Sequence, residues 1–343
     1  MAEKVETKHN IQLTSAELGA LWTQYLNDTM ATCVLKYFLN KVEDSEIKPV
    51  VEDALSLAEK HTKTISDIFT HEKHPIPIGF TKDDVNVDAP RLFSDGLILM
   101  YIRNMAMAGM GAAAAAIGVS ARSDVSDFFM EIIASVTETH NKSRKVLLSK
   151  GLYVRHPFIS IPEKVDFVKK QGFLTGFFGE RRPLIATEIT HLFNNVHTNA
   201  MGKGMCLGFA QTAKTQEIKD YMVRGMKIAQ KHMEILQSIL AESDLPAPVS
   251  WDQHVMDSTV PPFSEKLMMF HTTALSALGM GNYGLAMSVS VRRDLSAHYQ
   301  RLIQEILQYS EDGANIMIDY GWMEEQPQAD DRKELIKGKA DRS

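Results

Sequence analysis

Apolar residues recur along this chain at helical spacing, and the same pattern comes round twice. Leu18, Leu21, Tyr25, Thr32 and Leu39 form one stripe, with Thr14 and Glu17 set as a capping box before it. A second helix is predicted over about 46–72, with Ile47, Ala54, Leu57, Ile65 and Ile68 on one face and Pro49 in its first turn. A third covers about 91–121. A fourth starts near Ser123-Asp124 and stops at Lys150-Gly151, where glycine is the usual terminator. Four more helices are predicted over about 183–213, 216–243, 263–291 and 294–320.

The two sets superpose in sequence. At an offset of 171, Glu17-Leu18 falls on Glu188-Ile189, Glu46-Ile47-Lys48 on Glu217-Ile218-Lys219, and Lys60-His61 on Lys231-His232. Past residue 90 the offset becomes 170. Phe93-Ser94-Asp95 then meets Phe263-Ser264-Glu265, and Arg122, Asp124 and Ser126 meet Arg292, Asp294 and Ser296. A register that holds over a whole half points to duplication of one domain.

Residues 74–90 contain three prolines and no helical period, so they read as a loop. A helix of about 28 residues is roughly 42 Å long. A strap of this length reaches about 56 Å when extended, enough to run the full bundle and set helices two and three parallel. The expected fold is therefore all-α: two tandem ferritin-like four-helix bundles, each with a long crossover between its second and third helices. Residues 244–262 are the second strap. The expected division is an N-terminal tail (1–12), bundle one (13–157), a Phe/Gly-rich inter-bundle segment (158–182), bundle two (183–323) and a charged, frayed tail (324–343). The segment 172–179 is too apolar for a free linker and is expected to dock between the bundles.

Composition narrows the classes. The chain has 343 residues, 44% hydrophobic and 23% charged, with a net charge of −6 and a pI of about 6.1. An acidic balance argues against a dedicated nucleic-acid binder. The longest apolar run, about 105–121, is shorter than the ~20 residues of a membrane helix. Its alanines and glycines are expected to pack tightly on neighbouring helices. Met1–Asn10 is polar and has no signal-peptide character, so the expected setting is cytoplasmic. Cys33 and Cys206 have neither disulfide nor zinc spacing and read as small core residues. Most methionines read as core filling.

Candidate chemistry is sparse. Metal-binding bundles of this kind use a Glu from each of two helices and a Glu-x-x-His from each of the others. Glu59-Lys60-His61 and Glu138-Thr139-His140 have the wrong spacing, because their side chains diverge. Glu188-Ile189-Thr190-His191 has the right spacing but lies near a helix start, where it reads as surface. Helix levels instead bring Asp28, His61 and His140 to one height in mid-bundle. They could hold a single transition metal, iron, zinc or manganese, or simply satisfy each other as buried polar groups. The second copy has Asn199, His232 and Ser310 there. No Walker loop, GxSxG or HExxH occurs, which points away from an enzyme.

The run Gly172-Phe173-Leu174-Thr175-Gly176-Phe177-Phe178-Gly179, with Arg182-Pro183-Leu184 and Glu188-Ile189-Thr190-His191-Leu192, resembles an uncharacterised family of Bacillus-type Firmicutes. Its members are tandem ferritin-like bundles of about this length, labelled spore-coat-like after the coat protein CotF. The resemblance implies a link to spores and coat-type or homo-oligomeric partners, and it brings no catalytic residues. Three functions stay open: a metal-free structural or interaction protein of spore or stress, a metal-dependent oxidoreductase or metal binder, and a carrier of a small apolar ligand.

Overall fold

The structure, a computed structural model, describes residues 11–177 and 181–336. Eight long helices occur among them: α1 (Ser15–Lys41), α2 (Lys48–His71), α3 (Asp95–Val119), α4 (Ser123–Ser149), α5 (Ala186–Thr212), α6 (Gln216–Ala241), α7 (Glu265–Val289) and α8 (Arg293–Asp319). A short α9 (Arg332–Ile336) follows. The Thr14–Glu17 capping box opens α1 as expected. α3 starts at Asp95 rather than 91, because the Ser94 side chain accepts from the Leu97 N–H and leaves Arg91–Phe93 extended. Ser264 does the same for α7.

Side chains at the helix ends fix the topology. The Glu17 carboxylate accepts from the Ala121 and Arg122 N–H groups, at 2.8 and 2.7 Å, and Arg122 pairs with Glu72 at 2.7 Å. The start of α1 and the ends of α2 and α3 therefore share one end of the bundle. Asp95 accepts from the Asp44 N–H at 2.8 Å, and Lys150 pairs with Asp44 at 2.7 Å, which defines the other end. The strap between α2 and α3 must run the bundle's length, and those two helices are parallel. The second half repeats the device. Glu188 accepts from the Arg292 N–H, and Glu265 from the Lys214 and Thr215 N–H groups.

The two straps pair with each other. Val85 bridges Phe263 and Phe93 bridges Val255. The Asn86 N–H donates to the Pro262 carbonyl, and Met256 to Leu92, both at 2.8 Å. Ser94 donates to His254 and Ser264 to Asp84, at 2.9 and 3.0 Å. Exchanging the copies at the offset of 170 turns each bond into its partner, so the halves are related by a quasi-two-fold axis. Tyr101 and His271 occupy equivalent positions and meet near it, hydroxyl to Nε2 at 3.1 Å. Phe38–Phe93 and Phe209–Phe263 repeat the same edge-on contact, at 6.0 and 6.1 Å. One apolar cluster accordingly runs through both halves. The match breaks at Tyr37, which packs on Phe263 and bonds the Pro90 carbonyl and the Leu92 N–H. Its counterpart is Gly208, where a Cβ would lie 2.7 Å from the Phe93 ring.

The connecting segments depart from expectation. Phe173 lies under the Arg182 guanidinium, 4.1 Å from the ring centroid, and the Gly176 carbonyl accepts from Arg181. Gly176 abuts Asp294 so closely that a Cβ would overlap it. This stretch thus packs on the end of the second bundle; Phe178 and Gly179 lie outside the described residues. Phe158, Ile161, Val165 and Phe167 are exposed. The C-terminal segment is tied down at its start, since the Glu324 carboxylate accepts from the Ile78 and Gly79 N–H groups at 2.8 and 2.7 Å. Among the described residues, α3 alone is long and apolar enough to cross a membrane; half of its most apolar stretch is buried inside the bundle.

Buried ionisable groups make the fold sensitive to acid. Burial pushes His197 and His271 down to about 4. The unfolded chain takes up those protons first, near pH 6.5, so the stabilisation is full above that pH. It is lost as pH falls toward 4, at up to ~1.4 kcal/mol per pH unit for each group. Burial would raise the Glu17 and Glu188 carboxyls, but backbone N–H groups, and for Glu188 the Arg182 guanidinium, hold both below the usual range. Their contribution likewise disappears as pH falls. The melting temperature should drop steadily from pH 7 to 5, with a shallower slope in the His197→Gln, His271→Gln double variant. Arg292 is 1% exposed and sits 2.6 Å from the equally buried Asp294. Arg292→Ala should cost about 3–5 kcal/mol in urea unfolding by leaving that carboxylate with only the more distant Arg181, 3.9 Å away. Arg122→Ala should cost less, because the Arg122 side chain is itself 12% exposed and one of its two partners, Asp124, is half exposed.

Candidate functional site

The alanine- and glycine-rich part of α3 does not pack tightly on every side. Ala113 and Ala116 are buried in an apolar cluster with Phe128, Phe129 and Ile132 of α4, although Ala116 also borders the open side, and a Cβ on Gly109 would touch Val136 at 3.4 Å. Gly111 and Gly118 meet nothing within 4 Å, and Ala112 and Ala115 are exposed. Short side chains cannot span the gap to α1, so a groove of about 650 Å³ lies between the two helices. Its α3 wall includes Ala108, Gly109, Ala112 and Ala115, and its α1 wall Gln24, Asn27 and Asp28. Phe129, Ile132 and Val136 of α4 and His61 of α2 form the floor.

Asp28 and His61 meet there, as helix levels predict. His61 Nδ1 lies 3.6 Å from Asp28 Oδ2, and Gln24 donates to the same oxygen at 2.9 Å. Both residues are buried. Burial raises the Asp28 pKa, and the His61 contact and the Gln24 hydrogen bond offset this in part. The His61 ring stands edge-on to Phe128, centroids 6.0 Å apart. The pair also divides the first bundle's core. Ala58 belongs to the apolar cluster shared by both halves, while Ile65, two turns on, belongs to a second cluster with Leu21, Phe69 and Phe129.

His140 is at the right height but not at the groove. Its neighbour Thr139 lines the wall. One residue is 100° of helix rotation, and that phase decides which side chain faces in. His140 is half-buried instead, and its pKa is lowered by burial and then by the Arg103 and Arg144 charges. The three residues do not come together as one ligand set. Among the described residues, no group of three or more His, Cys, Asp and Glu is placed to hold a metal ion. Glu188 of the Glu-x-x-His is not at the surface. It is fully buried and held by the Arg182 guanidinium, with both contacts at 2.8 Å, because it forms the end-lock equivalent to Glu17.

The second bundle fills the matching place. Tyr283 stands where the first copy has Ala113. Its hydroxyl accepts from Asn199 Nδ2 at 2.7 Å and lies 3.0 Å from His232 Nδ1. Asn199 and His232 correspond to Asp28 and His61. His232 Nε2 is 3.2 Å from a Glu305 oxygen, so both ring nitrogens are engaged. Ser310 takes no part in this set. Leu278 and Leu285 replace Ala108 and Ala115. About 90 Å³ remains. This contrast was available in the aligned copies, where alanines face a tyrosine and two leucines at the same offset.

Known proteins add a family. A crystal structure of a Bacillus halodurans protein provisionally designated a spore coat protein is similar to part of the chain at 20% identity. The match covers 44% of this chain and 98% of that one, with a TM-score of 0.40. No functionally curated protein matches. Residues 3–165 and again 172–335 match the family described as Protein of unknown function (DUF3231). The chain belongs to the DUF3231 family and carries its domain twice.

Proposed function

We propose that this is a non-enzymatic binding protein. Its first bundle takes a small, largely apolar ligand in the α1–α3 groove, and its second bundle is a closed scaffold. The observation that carries this reading is the contrast at equivalent places: about 650 Å³ beside Asp28 and His61, and about 90 Å³ beside Asn199, His232 and Tyr283. The volume lies within the range of small-molecule sites, mostly apolar with a few convergent polar groups. The thiols fit a non-catalytic chain. Burial pushes Cys33 up to about 11 and Cys206 to about 12, so neither is a ready thiolate.

Nile red, a neutral apolar dye, tests the reading. It should bind the wild type saturably, with one equivalent per chain. The Ala108→Leu, Ala115→Leu double variant places the second bundle's leucines at two positions that line the groove and should weaken binding at least tenfold without loss of helicity. Equal binding by the two proteins, or none by the wild type, would sink the reading. Tyr283→Ala should lower stability by about 3–5 kcal/mol and add a second dye site, read as a doubled stoichiometry at a temperature where the variant remains folded.

A further inference from the structure

The groove is long and narrow. Its α1 wall runs from Ala20 to Leu35, roughly 22 Å at 1.5 Å per residue. Spread over that length, a volume of about 650 Å³ makes the groove more than twice as long as it is wide. An extended alkyl chain lies along such a groove and makes carbon–carbon contacts of about 3.5–4.0 Å with its walls. Asp28 lies near the middle of the α1 wall, so an apolar arm of about 10–12 Å extends to either side. At about 1.25 Å of advance per carbon, each arm takes a chain of about 8–10 carbons.

The polar lining selects the head. Among the described residues, no lysine or arginine borders the groove. Its acid and base are Asp28 and His61, and Gln24 and Asn27 add neutral polarity. Both contacts of Asp28 fall on Oδ2. Its Oδ1 takes no hydrogen bond from the described residues, and Asp28 lines the groove. A ligand that donates a hydrogen bond there gains a charge-assisted contact in a largely apolar site. A carboxylate or phosphate head would instead face Asp28 with no cation to compensate it.

Resting on the binding reading above, we infer that the ligand is a single-chain amphiphile of about 8–10 carbons. Its head donates hydrogen bonds to Asp28 and carries no negative charge, as an ammonium, hydroxyl or amide does. The two copies show why this chemistry is confined to the first bundle. In the second, the Tyr283 hydroxyl sits between Asn199 and His232 and takes up the polar contacts that a head would use.

Displacement of Nile red by decylamine, decanol and decanoate, each below its micelle concentration at pH 7.5, tests this. Decylamine and decanol should displace the dye from the wild type, with decanoate at least tenfold weaker. Asp28→Asn, which places at 28 the side chain Asn199 provides in the second copy, should narrow the gap between decylamine and decanoate to within threefold. Decanoate binding as tightly as decylamine would overturn the inference about the head. An aromatic amine such as 2-naphthylamine competing better than decylamine would overturn the linear chain. Failure of every ten-carbon ligand against a dye that the Ala108→Leu, Ala115→Leu double variant does expel would also overturn it, while leaving the binding reading intact. Dye binding indifferent to that double variant would overturn both.

Discussion

Four backbone hydrogen bonds between the two straps hold this architecture in register. Each strap crosses its own bundle with few backbone partners of its own, and an extended segment left that way would expose or bury unpaired N–H and C=O groups. Pairing Val85 with Phe263 and Phe93 with Val255 solves the problem for both halves at once. It also fixes how the bundles face each other, because the same residues continue into Ser94 and Ser264, the caps of α3 and α7. Strap, cap and core aromatics therefore form one unit around the axis where Tyr101 meets His271. The end-locks of Glu17 and Glu188 then close each bundle at its far end.

Most of the helical plan was legible, for a plain reason. Stripes such as Leu18, Leu21 and Tyr25 must face a core, and the offset of 170–171 doubles every observation. The meeting of Asp28 and His61 was legible too, because helix rise fixes height. Phase was harder: His140 and Thr139 differ by a single step, and only packing decides which turns inward. The strap pairing left no trace, since backbone hydrogen bonds need no particular side chains. The alanine run of α3 misled in a specific way. Small residues permit close approach but do not compel it, and here one face is packed while the opposite face borders a groove.

The duplicated halves have diverged at equivalent places. Both keep a histidine on the second helix and a polar partner on the first. Where the first copy has Ala108, Ala113 and Ala115, the second has Leu278, Tyr283 and Leu285, and Tyr283 uses the polar pair to anchor its own hydroxyl. Thus the closed copy satisfies internally the groups that the open copy leaves available. Asymmetry at Tyr37 and Gly208 shows the same divergence at the interface, where one side carries a ring against Phe263 and the other has no Cβ to meet Phe93.

The strap pairing also imposes an order on synthesis. The first bundle's helices can be complete while the ribosome is still making the second. Its strap, however, reaches its partners at His254, Pro262 and Phe263 only about 170 residues later, and the Glu324 clip on Ile78 and Gly79 arrives later still. During that interval a nascent chain presents the unpaired edge of residues 84–94 to its neighbours, an edge that an identical chain could recognise just as well. Two chains exchanging second halves would satisfy every bond described for one, so crowding on a polysome sets how often the intramolecular partner wins.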